Sequence, residues 1–453
     1  MENNCKAYPY RYIARIIVEA ESVIAVGTGE RNVFTDSPIA RDVNGLPYIP
    51  ATSIAGIVRH ALDVQDGEPS IFGFHDSKGG KGSQVIFTDA LMVGVDGKTV
   101  DGLVAIDWKN DVYAAYRQLP IREHVCIGGN GTAIKGGKFD NEVVYKGTRF
   151  VFEIEIYSEE NLENEFSEIL TTLYDDSLRI GGGSRKGYGK LSVVNSWIAL
   201  LDLSIEQDLN DYITKSSNLS IPWTRFSLMA SPKKVAANDW TKYLVHLSPS
   251  DFFLFGSRMG DDEADNTPMA ERIVTWDGMK PTITREQVLI PASAVKGALA
   301  HRTAYHYNRL NHLFVENADN HDSLLETKAT IGSNNPAVAA IFGKMESGKT
   351  TCGNLLITDV IEGDVRTKVF FHNRIDVFTG GIIKGALFQE KSIWAGDKTY
   401  TLEILVSNSA LEDSCCKEAF EHSIQDLCDG LLPLGGNVNR GHGIFVGQWT
   451  KNR

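Results

Sequence analysis

The sequence predicts an α+β chain of two tandem domains, each an antiparallel sheet with helices on one face and with hairpin and loop insertions. Three observations carry that prediction. A strand–proline–helix stretch occurs twice, further segments recur behind it in the same order, and within each copy the apolar spacing switches between strand and helix periods.

The first repeated stretch is Leu46-Pro47-Tyr48-Ile49-Pro50-Ala51-Thr52-Ser53-Ile54-Ala55-Gly56, which returns in outline as Val288-Leu289-Ile290-Pro291-Ala292-Ser293-Ala294-Val295-Lys296-Gly297. An apolar run ends at a proline, a small hydroxyl residue follows (Thr52 and Ser53; Ser293), and an amphipathic run begins. This reads as strand, N-cap, helix. Amides exposed at a helix start beside a hydroxyl and a cation, Arg59 or Lys296, also suit a phosphate. The plain alternative is an ordinary capped helix.

Next, Ile71-Phe72-Gly73 matches Ile341-Phe342-Gly343, and each copy passes through a polar loop into a strand ending in an acid, Asp89 or Asp359. The segment from Lys135 through Gly147 aligns without a gap on Lys384 through Gly396. Last, Gly181-Gly182-Gly183-Ser184-Arg185-Lys186-Gly187-Tyr188-Gly189 pairs with Gly435-Gly436-Asn437-Val438-Asn439-Arg440-Gly441-His442-Gly443. Two domains of roughly 200 to 230 residues agree with the length, which is too great for one core.

Taken in order, the first copy gives a strand over 11–26, the strand–helix unit over 46–63, a strand over 84–93 and an insertion near 94–120. A hairpin over 121–147, a strand over 148–157, an acidic helix over 159–174 and a last strand over 190–194 complete it. The second copy runs from Tyr243 to Trp449, with polar insertions at 257–287 and 311–336. The boundaries are 1–201, a connector at 202–235, and 236–453. Strand, helix, strand, strand, helix, strand is the ferredoxin-like or RNA-recognition arrangement. Neither copy carries an aromatic base-stacking run on a strand, so any RNA contact falls to loops.

A net charge of −13 argues against nucleic-acid binding by the whole surface, while leaving a local basic groove open because cations gather in the repeated loops. No apolar run approaches the roughly 18 residues of a membrane span, and the N-terminus shows no signal segment. The cysteines, including adjacent Cys415 and Cys416, follow neither a disulfide framework nor a CxxC pattern. A cytoplasmic protein with no membrane partner is the expectation.

Four groups of residues carry candidate chemistry. Glycines allow consecutive amides to face a phosphate, and Arg185, Lys186, Asn439 and Arg440 add donors and charge. Asp36 lies in a polar Asp-Ser-Pro loop; one carboxylate beside a splayed nucleotide can take a proton or hold a metal, but the same tripeptide is a common turn. The hairpins around Val125, Ile127 and Lys135, and around Ile375, Val377 and Lys384, end in apolar residues and glycines suited to wedging between bases or to packing on a neighbour. Gly343-Lys344-Met345-Glu346-Ser347-Gly348-Lys349-Thr350 fits a phosphate-loop pattern, yet a helix-like run precedes it and a strand-like run follows, the reverse of what nucleotide binding needs. His60, His124, His301 and His372 show no metal spacing.

With the glycine loops and the segment from Asp36 through Gly56 in view, the chain resembles the RAMP superfamily of CRISPR-associated proteins, specifically two fused Cas7-type backbone subunits of a type III effector. The resemblance implies a III-D-like crRNA-binding subunit whose hairpins act as thumbs in the guide–target duplex. It further implies cleavage of target RNA by Asp36. The loop of the second copy lacks the Asp-Ser-Pro motif and offers Asp262 or Asp265. A divalent metal such as Mg2+, no organic cofactor, target RNA, and other Cas7-type, Cas5-type and Cas10-type subunits complete the implied set. A non-cutting scaffold, or a guide-processing endoribonuclease using His60 or His301, are the alternatives.

Overall fold

Alternating side chains make Tyr10–Ala20 (β1) the centre of the first sheet, with Tyr12, Ala14, Ile16 and Val18 buried on its core face. The structure, a computed structural model, describes residues 8–31, 35–64, 70–76, 79–128, 132–230, 239–257, 259–313, 330–346, 349–394 and 396–452. Behind β1 come Ala51–Ala61 (α1), Val85–Phe87 (β2), Asp111–Arg117 (α2), Ile121–Ile127 (β3), Ala133–Glu142 (β4) and Arg149–Ser158 (β5). Glu163–Thr172 (α3), Leu191–Asp202 (β6) and Glu206–Thr214 (α4) follow. Strand order β6-β1-β5-β2, antiparallel throughout, is the ferredoxin-like sheet expected from the sequence.

The second copy repeats it. Its principal elements are Trp240–Pro249 (β7), Val274–Asp277 (β8), Lys280–Ile283 (β9), Gln287–Ile290 (β10), Ala292–Leu310 (α5), Pro336–Phe342 (α6) and Leu355–Ile357 (β11). Then come Thr367–His372 (β12), Phe388–Trp394 (β13), Tyr400–Ser407 (β14), Ser414–Cys428 (α7) and Phe445–Asn452 (β15). The sheet order β15-β7-β14-β11 is the same permutation. Amphipathic faces seat the helices on each sheet: Ile54 and Val58 in α1, Phe166, Ile169 and Leu170 in α3, and Phe420, Ile424 and Leu427 in α7 are buried.

Several boundaries differ from the sequence reading. The last strand of the first copy runs on to Asp202 because β1 pairs it as far as Tyr10, while Ser227–Leu228 pairs its outer edge at Trp197 and Ile198. Between β5 and β6 the helix is shorter than 159–174. The strand expected over 84–93 breaks at Asp89, which turns away to bond a helix. Within 202–235, α4 and Ser227–Leu228 lie on the first sheet; residues 231–235 fall outside the described residues, as does most of 311–336.

The insertion at 257–287 includes a hairpin, β8–β9, that joins the copies. Val274 donates its amide to the Lys146 carbonyl at 2.9 Å, Trp276 Nε1 donates to the Gly147 carbonyl at 2.7 Å, and the Arg149 guanidinium lies 4.3 Å from the Trp276 ring centre. Val274, Leu289 and Ile361 of the second copy belong to the first hydrophobic core.

At the centre of this junction Arg122 of β3, 2% exposed, donates to Glu271 through Nε at 2.5 Å and Nη2 at 2.8 Å, and to Asp359 through Nη1 at 2.5 Å. Burial works against its charge, but the Asp359 and Glu271 carboxylates outweigh that and hold the guanidinium protonated. Burial likewise pushes the Asp359 carboxyl up, against the pull of Arg122 and the Ala292 amide. Removing one partner of such a group strands buried charge, a loss of about 3–5 kcal/mol. Arg122→Met should therefore destabilise the docked copies by about that amount in urea unfolding, and adding Glu271→Gln and Asp359→Asn should recover most of it.

Candidate nucleic-acid interface

Both helix starts read as phosphate sites carry a carboxylate of the protein on their first amide. Pro50 and Pro291 are the N-cap residues, and neither Thr52, Ser53 nor Ser293 makes a capping bond. The acid that ends the neighbouring strand caps the helix instead: Asp89 Oδ1 accepts from the Ala51 amide at 2.7 Å and Asp359 Oδ1 from the Ala292 amide at 2.6 Å. A carboxylate there satisfies one orphan donor and the helix dipole together. The repeated acid thus has a structural reason. Arg59 stands in the last turn of α1, away from that start.

In the glycine loops, too, the chain uses its own amides. Gly182 donates to the Ala25 carbonyl and Gly436 to the Leu254 carbonyl, each at 2.7 Å, while Gly181 and Gly435 carry φ of 76° and 86°. The glycines Gly181, Gly182, Gly435 and Gly436 are exposed. Residues Ser184–Lys186 and Val438–Arg440 form matching single turns that carry Arg185 and Lys186, both half-buried, and Asn439 and Arg440, both exposed.

Those cations are not alike. Arg185 donates through Nε to the Gly353 carbonyl of the second copy at 2.6 Å, and Lys186 Nζ lies 4.0 Å from the Phe139 ring centre. Lys296 of α5 joins them: burial lowers its pKa first, and the charges of Arg185 and Lys186 lower it further. Burial also lowers Arg185 and Lys186. Among the described residues none of the three is paired with a carboxylate. A cluster of like charges at the seam between copies is an electrostatic deficit that a phosphate chain relieves. Arg440, by contrast, is paired with Glu390 at 2.8 Å.

One repeated constellation escaped the sequence reading. His124 stacks on Phe139 at 5.0 Å with Lys186 over the ring, and His372 stacks on Phe388 at 4.9 Å with Arg440 5.2 Å from that ring. The hairpin is thereby tied to the glycine loop in both copies, and His124 Nε2 adds a hydrogen bond to the Tyr188 hydroxyl at 2.7 Å. The gap-free match of Lys135–Gly147 on Lys384–Gly396 already set Phe139 on Phe388. What it lacked was the histidine partner across the strands.

Asp36 is exposed and docks on the return strand of the hairpin. Its amide donates to Asp140 Oδ1 at 2.8 Å and its Oδ2 accepts from the Asp140 amide at 3.3 Å. The second copy repeats this with Asp265, whose Oδ2 accepts from the Gln389 amide at 2.8 Å. The surrounding register agrees. Gly27 bridges Ile39 as Gly256 bridges Pro268, and the Ala40 amide bonds the Val26 carbonyl as the Met269 amide bonds that of Phe255. Asp265, not Asp262, therefore occupies the place of Asp36; Asp262 is exposed on the loop beyond it, beside Asp261, which pairs with Lys391.

Among the described residues no three metal-ligating side chains gather. Asp36 has the Asp140 carboxylate beside it, whereas Asp265 has Gln389. Among the described residues neither copy gathers a cation site from protein alone; Mg2+ ordinarily takes one or two carboxylates together with phosphate oxygens and water.

The hairpins offer apolar surface to solvent. Ile127 and Lys135 are exposed in the first, whose tip at 129–131 lies outside the described residues. In the second, Ile375 bridges Ile382, and Val377 and Phe378 are 93% and 97% exposed, with Lys384 also open. Val125 is half-buried. The phosphate-loop pattern at Gly343 follows α6 and leads into the strand pair Lys344–Glu346 and Lys349–Thr351, with no helix after it. His60 and His301 are exposed on their helices. No described helix is long and apolar enough to cross a membrane.

A family model described as the RAMP superfamily matches residues 17–192 and 255–446, one region in each copy. The chain is also similar to the CRISPR system Cms endoribonuclease Csm3 of Methanocaldococcus jannaschii, with 30% identity over 202 residues that cover 39% of this chain and 75% of that protein.

Proposed function

The chain belongs to the RAMP superfamily, of which it carries two copies, and on that premise we propose that it is a crRNA-binding backbone subunit of a type III, III-D-like CRISPR interference complex that cuts target RNA at loop aspartates. The observation that supports cutting is the matched seating of Asp36 and Asp265 on their hairpins. The similarity to a protein named as an endoribonuclease agrees with it. Target RNA, and Cas7-type, Cas5-type and Cas10-type neighbours, are the proposed partners.

Guide phosphates run along the Arg185, Lys186 and Lys296 cluster. Exposed apolar residues of the hairpins, Ile127 in one and Val377 and Phe378 in the other, wedge into the guide–target duplex, which costs a few kcal/mol per unstacked step and displaces a nucleotide. The aspartate at the hairpin base then accepts the proton of that nucleotide's 2′-hydroxyl. A bond forms from O2′ to phosphorus and the bond to O5′ breaks, O5′ taking a proton from water, which leaves a 2′,3′-cyclic phosphate and a 5′-hydroxyl. Holding O2′ in line with the phosphorus–O5′ bond, with the carboxylate within hydrogen-bond reach of the 2′-hydroxyl, is the larger part of the task.

Asp36→Asn and Asp265→Asn should each slow a different cut in the target by about a hundredfold to ten-thousandfold, with guide and target binding retained, whereas Asp262→Asn leaves every cut in place. Mapped cleavage products decide this, and retention of all cuts in the Asp36→Asn, Asp265→Asn double variant would leave a scaffold. Replacing Lys186 and Lys296 with Ala should weaken binding equally for unrelated guides. The slope of log affinity against log salt should shrink by about 0.7 per lost phosphate contact; an unchanged slope puts the RNA elsewhere.

A further inference from the structure

The two copies meet head to tail. The hairpin base and glycine loop of the first dock on the helix start and strand-end acid of the second, where Arg122 reaches Glu271 and Asp359 and a Cβ built on Gly187 would come within 2.7 Å of the Ala292 Cβ. A contact between unlike surfaces of two equivalent units leaves each surface unused once, at opposite ends of the chain.

Register identifies both counterparts. Arg41 bridges Pro47 as Ala270 pairs with Val288, so Asp42 stands where Glu271 stands; Ile49 bridges Ala90 as Ile290 pairs with Val360, so Asp89 stands where Asp359 stands. In the second copy these acids are buried around a guanidinium. In the first, Asp89 is exposed and bonds the Ala51 amide through Oδ1, and Asp42 is half-buried with Oδ1 on the Asn44 and Leu46 amides and Oδ2 at 3.3 Å from Asn44 Nδ2; among the described residues neither meets a cation. At the other end, Arg122 faces Asn141 across its hairpin as Phe370 faces Glu390, two residues before the stacked His124 and His372. Phe370 therefore fills the place of Arg122, and its ring lies on His442 at 5.1 Å as Arg122 lies on Tyr188 at 5.3 Å. A Cβ on Gly441, the counterpart of Gly187, would meet nothing within 4 Å.

We propose that Asp89 and Asp42 form a docking surface for an arginine on the hairpin-base strand of a separate subunit of this same architecture, and that Phe370 prevents the chain from filling that surface with a second copy of itself. The occupant is fixed by charge and by the seated example inside the chain: a lone acid pair beside a helix start accepts a bidentate guanidinium, and a phenyl ring offers it nothing. The inference rests on the junction within the chain and not on the RNA-cutting proposal.

Phe370→Arg supplies the missing cation. The full-length variant should self-associate head to tail, with a constant about tenfold or more above that of the parent chain by analytical ultracentrifugation, weakening as salt rises. Adding Asp89→Asn and Asp42→Asn should reverse it. Asparagine at position 89 keeps an oxygen for the Ala51 amide, so α1 retains its cap. Should arginine disturb the stacked rings and lower the Tm, Phe370→Lys carries the same test. Cationic variants that fold and stay as monomeric as the parent overturn the proposal, as does association that persists when both acids are neutralised.

Discussion

The buried contact of Arg122 with Glu271 and Asp359 is the constraint on which the rest of the arrangement depends. One cation and two carboxylates are withdrawn from water, which is tolerable only with bidentate geometry and every remaining oxygen satisfied. The Ala292 amide completes the set, so one carboxylate serves the helix start and the inter-copy pair at once. Because Arg122 begins the first hairpin, the pose of that hairpin is tied to the first turn of α5. The Lys186 and Lys296 ammonium groups, one on the glycine loop and one on α5, are placed by the same joint. A second set of pairs, Lys190 with Glu403 and Lys242 with Asp176, ties the two sheets nearby but is more exposed and correspondingly weaker.

Comparing the copies separates what the fold demands from what each copy does. A Cβ on Gly189 or Gly443 would lie 2.2 Å or 2.1 Å from a backbone carbonyl oxygen, so both positions exclude any other residue regardless of function. The strand-end acids, Asp89 and Asp359, are required by their helices. Divergence falls on side chains that face a neighbour or solvent: Arg122 against Phe370, Tyr188 against His442, Asp140 against Gln389. The first copy is specialised for contact with the second, and the second is not specialised for contact with another first.

Legibility in the sequence followed the range of the interactions. Strand and helix periods, the repeat order and the glycine loops are local, and they led to the ferredoxin-like sheet in both halves. The helix caps were misassigned to Thr52, Ser53 and Ser293 because the true acceptors, Asp89 and Asp359, are distant in the chain and bond across the fold. Asp265 was indistinguishable from Asp262 because loop sequence alone carries no register; it takes the hydrogen bond to Gln389 to choose. The insertion at 257–287 read as polar filler, since its hairpin, β8–β9, is stabilised by Trp276 against Gly147 and Arg149 of the other copy.

Seating the carboxylates on the hairpins has a mechanical consequence. Asp36 and Asp265 each accept an amide from the return strand at the residue after the ring, Phe139 or Phe388, that the loop cation covers. On the function proposed above, guide grip, wedge and carboxylate are strung along one short piece of β-strand, and the cation–ring contact holds that piece to the glycine loop. Each aspartate is thus fixed to the strand that the loop cation holds, so its position is set relative to the glycine loop. On the proposed function the site of attack is then measured from the guide backbone and not from target sequence, which suits a subunit that acts on whatever target its guide selects.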